Sequence, residues 1–189
     1  MRWLGIDYGS KLAGSTAVAY LDGEELKIKQ VEKKVDADDW LITLIKSLEV
    51  SHVFIDAPLS LPESYFNQKG DYFYRECDRQ TKAMSPMFIG GLTARAIRLV
   101  SKFEDVEFIE TYPSYLIKNV FEWGDIYNKK EKINDQIIQR MADKLPYKLE
   151  STILNYDQFD ALACWLSGDR YKKGIALKFG LSEEGLITV

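Results

Sequence analysis

The chain has 189 residues, 46% of them hydrophobic and 29% charged, and carries a formal net charge of −4. That length and balance predict a single domain, residues 1–189, with a substantial core. The acid excess excludes a non-specific duplex coat, which is strongly basic, but leaves room for an enzyme whose acids gather around metal ions.

In chain order, residues 2–7, 13–21 and 25–33 read as three strands. The first turn carries Gly9 and Gly14, and the second is Asp22-Gly23, a hairpin signal. Trp40, Leu41, Leu44, Ile45 and Leu48 recur at helical spacing and predict an amphipathic helix over 38–48. Residues 52–56 form the continuous apolar run expected of a strand covered on both faces. The stretch 57–90 is broken by Pro58, Pro62, Gly70, Pro86, Gly90 and Gly91 and carries aromatics from Tyr65 to Tyr74. So long a connection is expected to be functional or locally helical. A helix over 92–103 and a strand over 106–110 follow, then helices near 113–120, 131–144 and 156–168 and a terminal hairpin within 174–189. Three antiparallel strands followed by alternating helices and strands predict an α/β fold with a mixed central sheet flanked by helices.

Acids stand at the ends of two of these strands: Asp7 closes Trp3-Leu4-Gly5-Ile6, and Asp56 closes Val53-Phe54-Ile55. Asp157 and Asp160 open the last predicted helix. Carboxylates converging on one rim of a sheet need a compensating cation, and hard oxygen donors suit Mg²⁺ or Mn²⁺. In two-metal phosphodiester hydrolysis, ions roughly 3.5–4 Å apart clamp the attacking and leaving oxygens. Asp7, at the end of the central strand, is the natural bridging ligand, and Gly9 lets a phosphate approach the backbone. Both strand-end acids are also ordinary turn starters. If Asn155 caps the last helix, Asp160 lies in its second turn beside the small residues Ala161 and Cys164, where the helix can come close to the sheet. Asp157 then sits in the first turn, where the helix dipole alone favours an acid.

Glu110 ends the strand 106–110 and is a candidate to ligate metal, orient water or anchor the long loop. Arg75, Arg79 and Lys82 form a basic stripe with Tyr72 one turn earlier, suited to phosphate capture and base stacking. The interleaved Asp71, Glu76 and Asp78 fit a solvated, ion-paired helix equally well. Arg95, Arg98 and Lys102, like Lys129-Lys130-Glu131-Lys132, read as solvated helix faces, and Met84, Met87 and Phe88 as core packing.

Taken together, GIDYG at 5–9, IDAPLSLP at 55–62, RECDR at 75–79, ETYPS at 110–114 and DQFDALACW at 157–165 resemble the domain of unknown function 429 family. Members of that family are described as predicted ribonuclease H-like nucleases. Within the ribonuclease H-like superfamily, Holliday-junction resolvases likewise place two acids three residues apart on the last core helix. The resemblance implies a ribonuclease H-like fold and a Mg²⁺- or Mn²⁺-dependent nuclease. Asp7, Asp56, Glu110 and Asp160 would be its catalytic acids, and Asp7, Asp56, Asp157 and Asp160 its metal ligands.

Other readings stay open. Gly5-Ile6-Asp7-Tyr8-Gly9-Ser10 with Gly14 also looks like the first phosphate loop of actin-like ATPases and sugar kinases, although a second domain and an adenosine motif are missing. A non-catalytic binding protein on the same fold is the third. The expected partner is a nucleic acid or nucleotide and not a membrane, since no apolar run approaches the roughly 20 residues a bilayer requires. Cys77 and Cys164 lack CxxC spacing and suggest reduced thiols in the cytoplasm, and the single histidine, His52, supplies neither a zinc cluster nor a His-based triad. The N-terminus runs directly into a strand, so no signal or transit peptide is expected.

Overall fold

A computed structural model of the chain describes residues 2–189. Six strands form one mixed sheet: β1 (Trp3–Asp7), β2 (Ala17–Asp22), β3 (Glu25–Gln30), β4 (His52–Asp56), β5 (Glu107–Glu110) and the two-residue β6 (Lys148–Leu149). Their order across the sheet is β5-β4-β1-β2-β3-β6. β1, β2 and β3 pair antiparallel, whereas β4 runs parallel to β1 and β5 parallel to β4. The mixed sheet is as expected, and the short edge strand β6 had no sequence signal because two residues show no periodicity.

Helices cover both faces. Side chains alternate along a strand, so each face takes every second residue. Leu4, Ile6, Val18, Val53 and Ile55 pack against α1 (Ala37–Leu48) and a helix over Gly90–Val100. Trp3, Ala17, Ala19, Leu26 and Phe54 face the long C-terminal helix Tyr156–Lys172 instead. Asp7 shares the parity of Trp3 and Asp56 that of Phe54, so both acids fall on the face under this helix. Between β4 and the second of these helices, residues 57–90 form two short helices, α2 (Ser64–Asn67) and α3 (Glu76–Thr81), making Gly90–Val100 α4. After β5 come α5 (Pro113–Tyr115), which continues as a π-helical turn over Leu116–Val120, α6 (Asp135–Lys144) and α7 (Tyr156–Lys172). The hairpin β7 (Lys178–Leu181) and β8 (Gly185–Thr188) closes the chain.

Several boundaries differ from expectation for local reasons. The second strand starts at Ala17 rather than 13, because Ser15 and Thr16 turn their hydroxyls back onto the first loop. α6 starts at Asp135 rather than 131, where the Asn134 side chain accepts from the Ile137 amide at 2.9 Å. Met84 and Phe88, expected in the core, are 59% and 61% exposed.

α7 lies almost on the backbone of β1. A Cβ built on Gly5 would stand 2.2 Å from the Trp165 amide nitrogen and 2.4 Å from the Ala161 carbonyl oxygen, so only glycine allows this approach. The Trp3 indole donates to the Trp165 carbonyl at 2.9 Å and stacks on the Trp165 ring. Gly5→Ala is therefore expected to destabilise the protein by about 1–3 kcal/mol through overpacking. The denaturant midpoint checks this, and an unchanged midpoint would mean that α7 stands farther from β1 than described.

Candidate functional site

Asp7 and Asp56 are register partners at the ends of the adjacent parallel strands β1 and β4. Among the described residues neither carboxylate accepts a hydrogen bond, and both are partly shielded at the rim of the sheet. Burial raises the Asp7 carboxyl well above its usual range, and the nearby Asp160 and Asp56 charges raise it further. Burial also pushes Asp56 up to about 7; Lys129 opposes the rise, and Asp160 and Glu110 add to it.

α7 brings the third acid. Asn155 caps it, its side chain accepting from the Gln158 amide at 3.0 Å, and this register turns Asp160 under the strand ends, fully buried. Both of its oxygens are engaged. The Tyr127 hydroxyl donates to Oδ1 at 2.8 Å, and the Lys129 ammonium pairs with Oδ2, which has no other donor among the described residues. Asp157, in the first turn, accepts from Gln30 Nε2 at 2.9 Å. Burial raises its carboxyl, and Asp160 adds to the effect.

Lys129 is the residue that sequence reasoning missed. It was expected on a solvated helix start; instead its stem lies at the surface while its ammonium reaches in among the acids, over the Tyr127 ring at 5.6 Å. Burial works against the charge, but Asp160, Tyr127 and Asp7 outweigh it and the pKa is raised, so Lys129 stays protonated. Nothing in the KKEK run marks Lys129 off from its neighbours, because the selection is made by the fold of residues 121–134. Arg95 was likewise expected in solvent, and instead holds Asp38 through Nε at 3.0 Å and Nη2 at 2.7 Å, and donates to the Gly9 carbonyl.

Other expected site residues are placed elsewhere. Arg75 is fully buried and cannot meet a phosphate: Nη1 and Nη2 grip Glu110 at 2.8 and 2.7 Å, while Nε and Nη2 grip Asp78 at 3.1 and 2.7 Å. Glu110 is thereby a clamp for the 57–90 segment rather than a free catalytic acid, its Oε2 also accepting from the Leu59 amide. Burial raises its carboxyl and Arg75 holds part of that rise back. Arg79 pairs with Asp71 and lies over the Tyr74 ring, and Lys82 is the exposed C-cap of α3. The Gly9 amide donates to Thr16 Oγ1 at 3.0 Å, and a Cβ on Gly9 would meet Ser15 Oγ at 2.2 Å. The glycine is required by that close turn, and its amide is not open to a phosphate.

A cleft of about 320 Å³ opens beside Asp56 and Lys129, walled by Tyr8, Met84, Leu92 and Tyr112. A second cavity of about 210 Å³ lies at the opposite end of β1, lined by Trp3, Tyr20 and Trp165 and by no acid. Among the described residues no three Asp, Glu, His or Cys side chains are drawn together closely enough to enclose an ion. The chemistry of the donor set nevertheless fits a hard divalent cation: Asp7 and Asp56 offer oxygens without donors and repel each other. No helix among the described residues is long and apolar enough to cross a membrane. Comparison with known proteins gave no match to any family model, curated protein or solved structure.

Proposed function

We propose that this protein is a nuclease of the ribonuclease H-like class that hydrolyses phosphodiester bonds with Mg²⁺ or Mn²⁺. The observation that carries this reading is the pair Asp7 and Asp56. Two acids at matched positions of neighbouring strands, deprived of donors and pushed upward in pKa by burial and by neighbouring carboxylates, are poorly placed unless a cation joins them. The strand order β3-β2-β1-β4-β5, antiparallel and then parallel, supports the fold that the sequence motifs imply.

Asp7 and Asp56 would hold the ion. When bound, it supplies a polarised phosphoryl group and a water acidified toward neutral pH. Lys129 offers positive charge to a phosphate entering the cleft, and Tyr8 and Tyr112 offer ring faces to a base or sugar. Burial raises the Asp160 carboxyl, and Lys129 and the Tyr127 hydroxyl hold part of that rise back. The substrate is a nucleic acid or a nucleotide. Cys77 and Cys164, both buried and unpaired, agree with a reducing, cytoplasmic setting. The phosphate-loop reading finds less support, since the Gly9 and Ser10 amides are already satisfied by Thr16 and Ser15.

Millimolar Mn²⁺ is expected to raise the melting temperature. An ion present at a hundred times its Kd stabilises the folded state by about 2.7 kcal/mol. Calorimetry and thermal unfolding test the reading together; neither binding heat nor a thermal shift would remove it.

A further inference from the structure

The acids of this site are not equivalent. Asp160 has given Oδ1 to Tyr127 and Oδ2 to Lys129, and Asp157 has given Oδ2 to Gln30. Only Asp7 and Asp56 are left without donors among the described residues. Two free carboxylates side by side suit one divalent ion better than two.

We propose that the Lys129 ammonium stands where a second metal ion would stand, anchored by Asp160, and leaves Asp7 and Asp56 to hold a single divalent ion. The inference rests on the hydrolase reading above and fixes the number of ions it uses.

Charge supports the assignment. Asp7, Asp56 and Asp160 together carry three negative charges when ionised, and one ammonium with one divalent ion balances them. A second divalent ion beside Lys129 would leave an excess of two positive charges on the protein side. Asp157, partly exposed and held by Gln30, is better screened by water than these three.

The segment delivering the ammonium is fixed by the two residues that precede Lys129. Tyr127 is buried, and its amide donates to the Trp123 carbonyl at 3.1 Å. The Asn128 amide donates to the Tyr156 hydroxyl at 3.2 Å, tying the residue before Lys129 to the start of α7. The Tyr127 ring, with Lys129 against it, packs edge-on to Tyr156. A lysine held in this way, with its stem at the surface and its charge turned inward, is a built counter-ion and not a side chain passing by.

The test is a count of bound ions by native mass spectrometry and calorimetry on the full chain, with Mn²⁺ as the probe. One Mn²⁺ per chain is expected for the unaltered protein. Lys129→Ala frees Asp160 Oδ2 and is expected to admit a second Mn²⁺, whereas Lys129→Arg keeps the count at one. Two ions bound to the unaltered chain would overturn the proposal while leaving the hydrolase reading intact. An unchanged count of one in Lys129→Ala would overturn it as well. No ion bound to either chain would overturn the hydrolase reading itself. Should Lys129→Ala fail to fold, Lys129→Met, which keeps the apolar stem but removes both the charge and the donor to Asp160, takes its place with the same expected count.

Discussion

Asp7→Asn is expected to lower Mn²⁺-dependent phosphodiester cleavage by more than about a hundredfold, beyond the about 10–100-fold that follows loss of an outer-shell partner. Without metal the same variant should be at least as stable as the parent. The sign follows from the direction of the shift. The folded-state pKa of Asp7 lies above its unfolded value near 3.8, so the folded parent binds more protons between the two values and loses stability as pH rises through that window. Asn has no proton to lose, so the variant's advantage is larger at pH 8 than at pH 4, where it disappears. Unfolding at the two pH values, with and without Mn²⁺, checks both parts. A metal-free Asp7→Asn chain that unfolds earlier than the parent at pH 8 would make Asp7 a structural acid.

Arg75→Ala is expected to cost about 3–5 kcal/mol of stability, because it strands two buried carboxylates, Asp78 and Glu110, without their cation. The loss should appear as an earlier denaturant midpoint with or without nucleic acid. Neutralising the partners in the triple variant Arg75→Met, Asp78→Asn, Glu110→Gln is expected to restore much of it. If Arg75→Ala weakens oligonucleotide binding while the midpoint stays in place, Arg75 serves substrate after all and the clamp is unimportant.

The two variants mark where sequence reading succeeds and where it stops. β1 and β4 are legible because their apolar runs end abruptly at Asp7 and Asp56, and strand periodicity then carries both acids to one face. The Asn155 cap is equally local, and it fixes the side of α7 on which Asp160 lies. Arg75 reads as a surface arginine because its near neighbours are acids at helical spacing, whereas its burial depends on Glu110, which comes from the distant strand β5. Lys129 depends on Tyr127, Asn128 and Tyr156 meeting in space, and no periodicity encodes such a meeting. Gly5 can be seen in the sequence, but its purpose shows only with α7 lying against it.

The seating of α7 on β1 also sets an order of events during synthesis. The strand that carries Asp7 leaves the ribosome well before α7, and its bare glycine face is covered only when Ala161 and Trp165 have been made. Closing a contact across so many residues is slow, since the entropy of the intervening chain must be lost before the contact gives anything back. Until then β1 has no partner on that face, and Asp160 is not yet in place beside Asp7. A nascent chain therefore cannot assemble this site, so ion-dependent activity is expected to arise only after α7 has been made and docked.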